Sequence, residues 1–218
     1  MKCDSGQAAP LYAAAVAGLL FVALIFFTFG EADIRRNGAQ GAADAAALAA
    51  AKESRSLLEP ELEAHLTDPD YFESVFGTSF LGGPGNACGK ASEFAALNDA
   101  ADVRCRPLSD GRWGYEVSLR SSKGMSTDLV PGTKGKKASA EAVAVVEPRC
   151  TFAPAAEDDT VPDPETEPDP DTDADPDPVI VSIGKVSCDG GLNWVVDPEE
   201  LELMPDIADL FTVRLAED

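Results

Sequence analysis

The sequence predicts an α+β chain. A single N-terminal transmembrane helix continues into a long extracytoplasmic alanine-rich helix. A small disulfide-stapled antiparallel sheet with short helices follows. Three observations carry that prediction. Pro10 to Phe29 reads PLYAAAVAGLLFVALIFFTF, inside a stretch from Ser5 to Gly30 without a charged residue. Nine of the fourteen residues from Gly38 to Ala51 are alanine. Beyond them, apolar and polar residues alternate in several short runs, and Cys88, Cys105, Cys150 and Cys188 all lie on that side of the apolar run.

Roughly 20 apolar residues at ~1.5 Å rise cover a hydrocarbon core ~30 Å thick. Pro10 suits a first helical turn, where a missing N–H is harmless. Tyr12 is placed for an interfacial aromatic contact. A cleaved signal peptide is the competing reading. The run exceeds the usual apolar core of ~7–15 residues, and Gly30-Glu31-Ala32 puts a charge beside its small residues. Lys2 on one side and Arg35 and Arg36 on the other do not settle orientation by positive charge. The cysteine-bearing portion is the part long enough to fold, and paired cysteines need an oxidising side. The expectation is a single-pass cell-membrane protein with residues 1–9 cytoplasmic, residues 10–29 in the membrane and the C-terminal domain extracytoplasmic.

Gly30, Gly38 and Gly41 each cost a helix ~1 kcal/mol relative to alanine, but alanine is the best helix former. The helix is therefore expected to continue through residues 30–58 and stop before Glu59-Pro60. Residues 59–153 read as an α+β domain. Leu62 to Leu66 suggest a short turn, and Asp68 is a helix cap for DPDYFESVFG. Lys90 to Asp102 read as an amphipathic helix with Phe94, Leu97 and Ala101 inward. Trp113, Tyr115, Val117 and Leu119 alternate as in a half-buried strand, and so do Ala140, Ala142, Ala144 and Val146. A glycine-rich hairpin loop joins the two.

The formal net charge is −22, and 11 acidic residues with no basic one lie between Glu157 and Asp177. That balance argues against nucleic-acid binding, which needs a Lys/Arg footprint, and against simple adsorption to anionic lipid. Residues 154–178 alternate Asp with Pro and read as a disordered, self-repelling spacer. Residues 179–218 would complete the domain with two strands around Asp189-Gly190-Gly191, a short helix over PEELELMPDIADLF, and a last strand or frayed end at FTVRLA.

Nothing suggests a reaction centre, cofactor or metal. His65, the single histidine, reads as a solvated surface residue, and no HExxH, GxSxG or phosphate-loop motif is present. The Asp-Pro tract offers carboxylates for Ca²⁺ but lacks EF-hand spacing. The four cysteines form two disulfides or remain separate buried thiols; no Cys-x-x-Cys spacing points to zinc. The alanine-rich stretch admits three readings: a solvent-exposed helix, the core helix of its own domain, or a helix-packing face. An alanine face buries little area but permits close approach. The favoured reading is a packing face of Gly38, Ala42, Ala45, Ala46 and Ala49.

Gly6 to Ala51 resembles the amino-terminal module of the TadE/TadG-like proteins of bacterial Flp (tight adherence) pilus assembly. The specific parts are Gly6-Gln7-Ala8-Ala9, the apolar span, and Arg36-Asn37-Gly38-Ala39-Gln40 leading into Ala42–Ala50. A looser likeness covers ACGKASEFAALNDAADVRCR and the strands after it. The resemblance implies a pilin-like or pseudopilin-like assembly component without enzyme activity. Its partners would be other pilus-assembly or secretion membrane proteins or pilins, with room for a homo-oligomer. It also implies the pairings Cys88–Cys105 and Cys150–Cys188. Gly6–Gln7 is the candidate processing site, but Leu11 stands where processed prepilins carry glutamate, which favours an assembly component over a main filament subunit. The alternative function is a membrane-tethered extracytoplasmic domain that binds a ligand or cation.

Overall fold

The computed structural model describes residues 8–78, 80–82, 85–126, 131–155 and 182–216. The Gly6–Gln7 pair and the acidic Asp-Pro tract lie outside the described residues.

Helix α1 runs unbroken from Ala8 to Ser56, 49 residues. Its N-terminal part is long and apolar enough to cross a membrane, and none of that window is buried in the molecule. The helix ends where Leu58 N–H bonds back to Arg55 O at 3.1 Å, just before Pro60. Proline cannot donate to a preceding turn but fits the first turn of a new helix, and α2 (Glu59–Ala64) begins there. Helix α3 (Pro69–Phe76) is capped as expected, Asp68 Oδ1 accepting from Tyr71 N–H at 3.1 Å.

Helix α4 departs from the expectation. It spans Cys88–Leu97 and buries Ala91 and Ala95, while Phe94 and Leu97 face solvent. Asp99 takes a left-handed φ of 54°, which ends the helix, and Ala100–Pro107 is a strand, β1. The inward side is the alanine side because α4 lies directly against α1, and only small side chains let two helix backbones come close.

Strand β2 (Gly114–Ser121) follows the expected alternation, and β3 (Ser139–Pro148) does so as far as Ala144, after which Val145 and Val146 are both buried. Arg149 then turns the chain into β4 (Cys150–Pro154), which pairs with β5 (Gly184–Cys188), itself paired with β6 (Asn193–Val196). The segment expected as one short helix splits around Pro205 into a 3₁₀ turn (Leu201–Leu203) and α5 (Ile207–Leu210). Asp206 caps α5 by accepting from Ala208 N–H at 2.7 Å. Strand β7 (Phe211–Leu215) returns to β3. Two antiparallel sheets result, ordered β1-β2-β3-β7 and β4-β5-β6.

The outer half of α1 lies along β3 and β2. Ala39, Ala43, Ala46, Ala47 and Ala50 are at most 2 % exposed. Facing them are Trp113, Tyr115, Val117 and Leu119 with Ala142, Ala144 and Val146, all buried. Bulk on the sheet meets smallness on the helix, the complementarity that lets facing layers interdigitate. A second aromatic group gathers around α3. Phe72 lies 5.3 Å from Phe152 and 6.1 Å from Trp194 by ring centroids, and Phe76 stacks on Phe211 at 5.3 Å. Phe211 meets Trp113 edge-on at 5.5 Å, joining this group to the helix–sheet core.

Candidate functional site

The candidate site is the long helix and what its two sides touch. At 3.6 residues per turn, the buried alanines form one broad face, while Gly38, Gly41 and Ala45 fall on the opposite side. Gly38 and Gly41 are exposed, and a Cβ built on either would meet nothing within 4 Å. Ala45 is half-buried. The five residues expected to form a packing face are therefore divided. Ala42, Ala46 and Ala49 are buried in the chain's own head; Gly38 and Ala45 sit on or near the outward side. This revises the favoured sequence reading. Most of the alanine stretch is the core helix of its own domain: α4 packs closely against it through Ala91 and Ala95, and the sheet supplies the large side chains that the helix lacks.

Polar contacts fix the helix against the head at three heights. Near its outer end, Ser54 Oγ, only 3 % exposed, accepts from Trp113 Nε1 at 2.9 Å and meets the Tyr115 hydroxyl at 3.4 Å. Arg55 donates to the Phe211 carbonyl at 3.1 Å. Midway, Gln40 Nε2 donates to Asp44 Oδ1 at 2.9 Å and to the Glu141 carbonyl at 3.1 Å. At the foot, Glu31 Oε1 accepts from the Ser126 backbone N–H at 2.9 Å and from its hydroxyl at 2.8 Å. This last contact has no signal in hydropathy or spacing, since it joins positions 95 residues apart.

Both disulfides implied by the family likeness are present. Cys88–Cys105 ties the first residue of α4 to β1, and Cys150–Cys188 joins directly opposed residues of β4 and β5. In the chain-entropy picture, closures of 17 and 38 residues stabilise by roughly 3–4 kcal/mol each.

The outer face of the larger sheet carries Arg104, Arg106, Glu116, Ser118, Arg120 and Glu141 around a shallow trough. Arg106 pairs with Glu116, so this face is a charged, solvated surface. His65 stacks on Tyr71 at 4.1 Å, its Nδ1 is 2.8 Å from the Glu61 carbonyl, and it is half-buried where a solvated residue was expected. Burial, with Glu61 nearby, raises the Tyr71 phenol above its ordinary pKa. Among the described residues, no group of three or more His, Cys, Asp or Glu side chains is placed to hold a metal ion.

The family model described as "Putative Flp pilus-assembly TadE/G-like" matches residues 6–53. The match covers the apolar run and most of the alanine-rich continuation, and stops short of the head. It supports a Flp pilus-assembly-associated membrane protein, a class of structural and assembly components. No curated protein and no solved structure matches the chain.

Proposed function

We propose that this chain is a membrane-anchored, pilin-like or pseudopilin-like component of Flp pilus assembly or the related secretion apparatus, acting through helix–helix and protein–protein contacts. One observation carries the reading: the family match falls on α1, and α1 keeps minimal side chains on its outward side, Gly38 and Gly41 exposed and Ala45 half-buried beside them. Two helical glycines in open space cost the isolated chain ~1 kcal/mol each relative to alanine. A partner helix that approaches closely offsets that cost, as at small-xxx-small crossings. The partners in this reading are other membrane proteins of the apparatus, pilins, or a second copy of the chain. The head would lie outside the cytoplasm, where its disulfides form.

Cysteine scanning in the native host tests the proposal. Cysteine at Gly38 or Ala45 is expected to cross-link to a second helix, whereas cysteine at Ala43 or Ala47, covered by the sheet, is not. Deleting the gene should reduce surface pili. Normal piliation in the deletion strain, or equal cross-linking from both sides of α1, overturns the reading.

A further inference from the structure

Between β2 and β3 lie 17 residues, Ser122 to Ala138, and at Ser126 the head reaches the foot of α1. Ser126 is held there by its two hydrogen bonds to Glu31. Glu31 stands two residues beyond Phe29, the last residue of the apolar run. At ~1.5 Å per residue this is only ~3 Å past the hydrocarbon edge, and the headgroup layer extends ~5–8 Å on each side. Ser126 and its immediate neighbours therefore lie at headgroup depth.

Those neighbours include lysines, in a built arrangement. Met125 N–H donates to Lys136 O and Gly135 N–H to Met125 O, both at 2.9 Å, and Lys136 N–H closes a turn onto Thr133 O at 3.0 Å. Gly135 takes the φ of 77° that this turn needs. Gly124 lies so close that a Cβ on it would fall 2.5 Å from Gly135 O. Lys134, Lys136 and Lys137 are exposed. Lys123, exposed behind them, lies 3.6 Å from Asp99. Four of the eight lysines in the chain fall within these 17 residues, against one acidic residue, Asp128.

At the foot of α1, Arg35 and Arg36 offset Glu31 and Asp33, and Asp99 offsets Lys123, so Lys134, Lys136 and Lys137 leave a local positive excess, opposite in sign to the charge of the whole chain. Half of the net value of −22 comes from the 11 acidic residues between Glu157 and Asp177, in the segment that joins β4 to β5 rather than in this loop. Fields at a membrane surface act only within about a Debye length, so the charges that count are those at the foot of the helix. We propose that Lys134, Lys136 and Lys137, supported by Lys123, dock the head onto anionic phospholipid headgroups of the membrane that α1 enters. The head then has two attachments to the bilayer, the helix and the loop, and its rotation about the helix axis is restricted. The inference rests on the reading of α1 as a membrane anchor.

The full-length chain, placed in nanodiscs of phosphatidylcholine alone or with about a third phosphatidylglycerol, tests it. A water-soluble amine-acetylating reagent with mass-spectrometric readout reports each lysine. Lys134, Lys136 and Lys137 are expected to react about three-fold or more slowly in the anionic discs. Lys52, ~30 Å up the helix, and Lys185 on β5 should react equally in both. Raising salt to about 0.5 M should remove the difference. Equal rates in the two lipids overturn the docking, and so does salt-insensitive protection in both. Co-elution with the discs reads the anchor separately. A chain that co-elutes without differential protection sinks only the docking; a chain that does not co-elute sinks the anchor.

Discussion

The Trp113 indole donates to the Ser54 hydroxyl at 2.9 Å across 59 residues of sequence. With the Tyr115 hydroxyl, 3.4 Å from the same oxygen, it forms a buried polar link between the long helix and the sheet. Trp113 is 4 % exposed and Ser54 3 %, so neither group can turn to water. Removing the acceptor leaves a buried N–H unsatisfied, at ~1–3 kcal/mol. Ser54→Ala should lower head stability by about that amount, followed by tryptophan fluorescence in a denaturant titration. Unchanged stability would mean that the indole has another partner.

The two sides of α1 should answer opposite substitutions in opposite ways. Ala46 is 0 % exposed on the side of α1 that α4 and the sheet cover, so Ala46→Leu must push packed elements apart, at ~1–3 kcal/mol. Gly41 has open space above it, so Gly41→Ala should stabilise the chain by up to ~1 kcal/mol. On the proposed function, that same stabilising change weakens assembly, because the added methyl stands where a partner helix approaches. Thermal unfolding and a piliation assay on the same variant separate the two effects. Gain of stability with full assembly would argue against a partner on that side.

Much of this architecture was legible in hydropathy alone. The alternation of Trp113, Tyr115, Val117 and Leu119 gave the strand and its inward face, and Asp68 marked the start of α3. The identity of α1's partner was not legible. A run of alanines states that something comes close without stating what. The answer lay in the bulky strand residues that follow it by more than sixty positions. Strand β1 was hidden for a different reason. Its start depends on the left-handed turn at Asp99, and neither hydropathy nor spacing encodes that turn. Phe94 and Leu97 suggested an inward apolar stripe, but α4 packs through Ala91 and Ala95, where closeness outweighs buried area. The Ser126–Glu31 contact was invisible in sequence, and the overall acidic charge concealed the lysines beside it.

The two disulfides should differ in what their loss does. Cys88–Cys105 fastens α4, which packs on α1, to β1, whereas Cys150–Cys188 bridges neighbours already paired as strands. Replacing both cysteines of either pair by alanine should cost roughly 3–4 kcal/mol at most in the chain-entropy picture. Hydrogen exchange is expected to show the first loss as faster exchange in α4 and β1, and the second as faster exchange in β4 and β5. Peptide mapping without reduction checks the pairings directly. A mapped Cys88–Cys150 or Cys105–Cys188 link would contradict the fold.

Arg214 clips the edge strand β7 to β3 through a two-pronged pair with Glu147, Nε to Oε2 at 2.8 Å and the terminal nitrogen to Oε1 at 2.6 Å. The Arg214 hydrogen bond is the main cause that holds the Glu147 carboxyl below its ordinary pKa of 4.5. A depressed carboxylate pKa adds stability that is full above the unfolded value and lost as pH falls through the folded one. Glu147 is 42 % exposed as a side chain, so solvent screens the pair and its worth stays below ~1 kcal/mol. Glu147→Gln should therefore be slightly less stable than the parent at pH 7. The two should converge as the pH is lowered through the carboxylate range. Denaturant titrations of both proteins at pH 7, 5 and 3, with a salt series at pH 7, measure this. A difference that stays constant down to the lowest pH would show that Glu147 acts by packing on β7 rather than by charge.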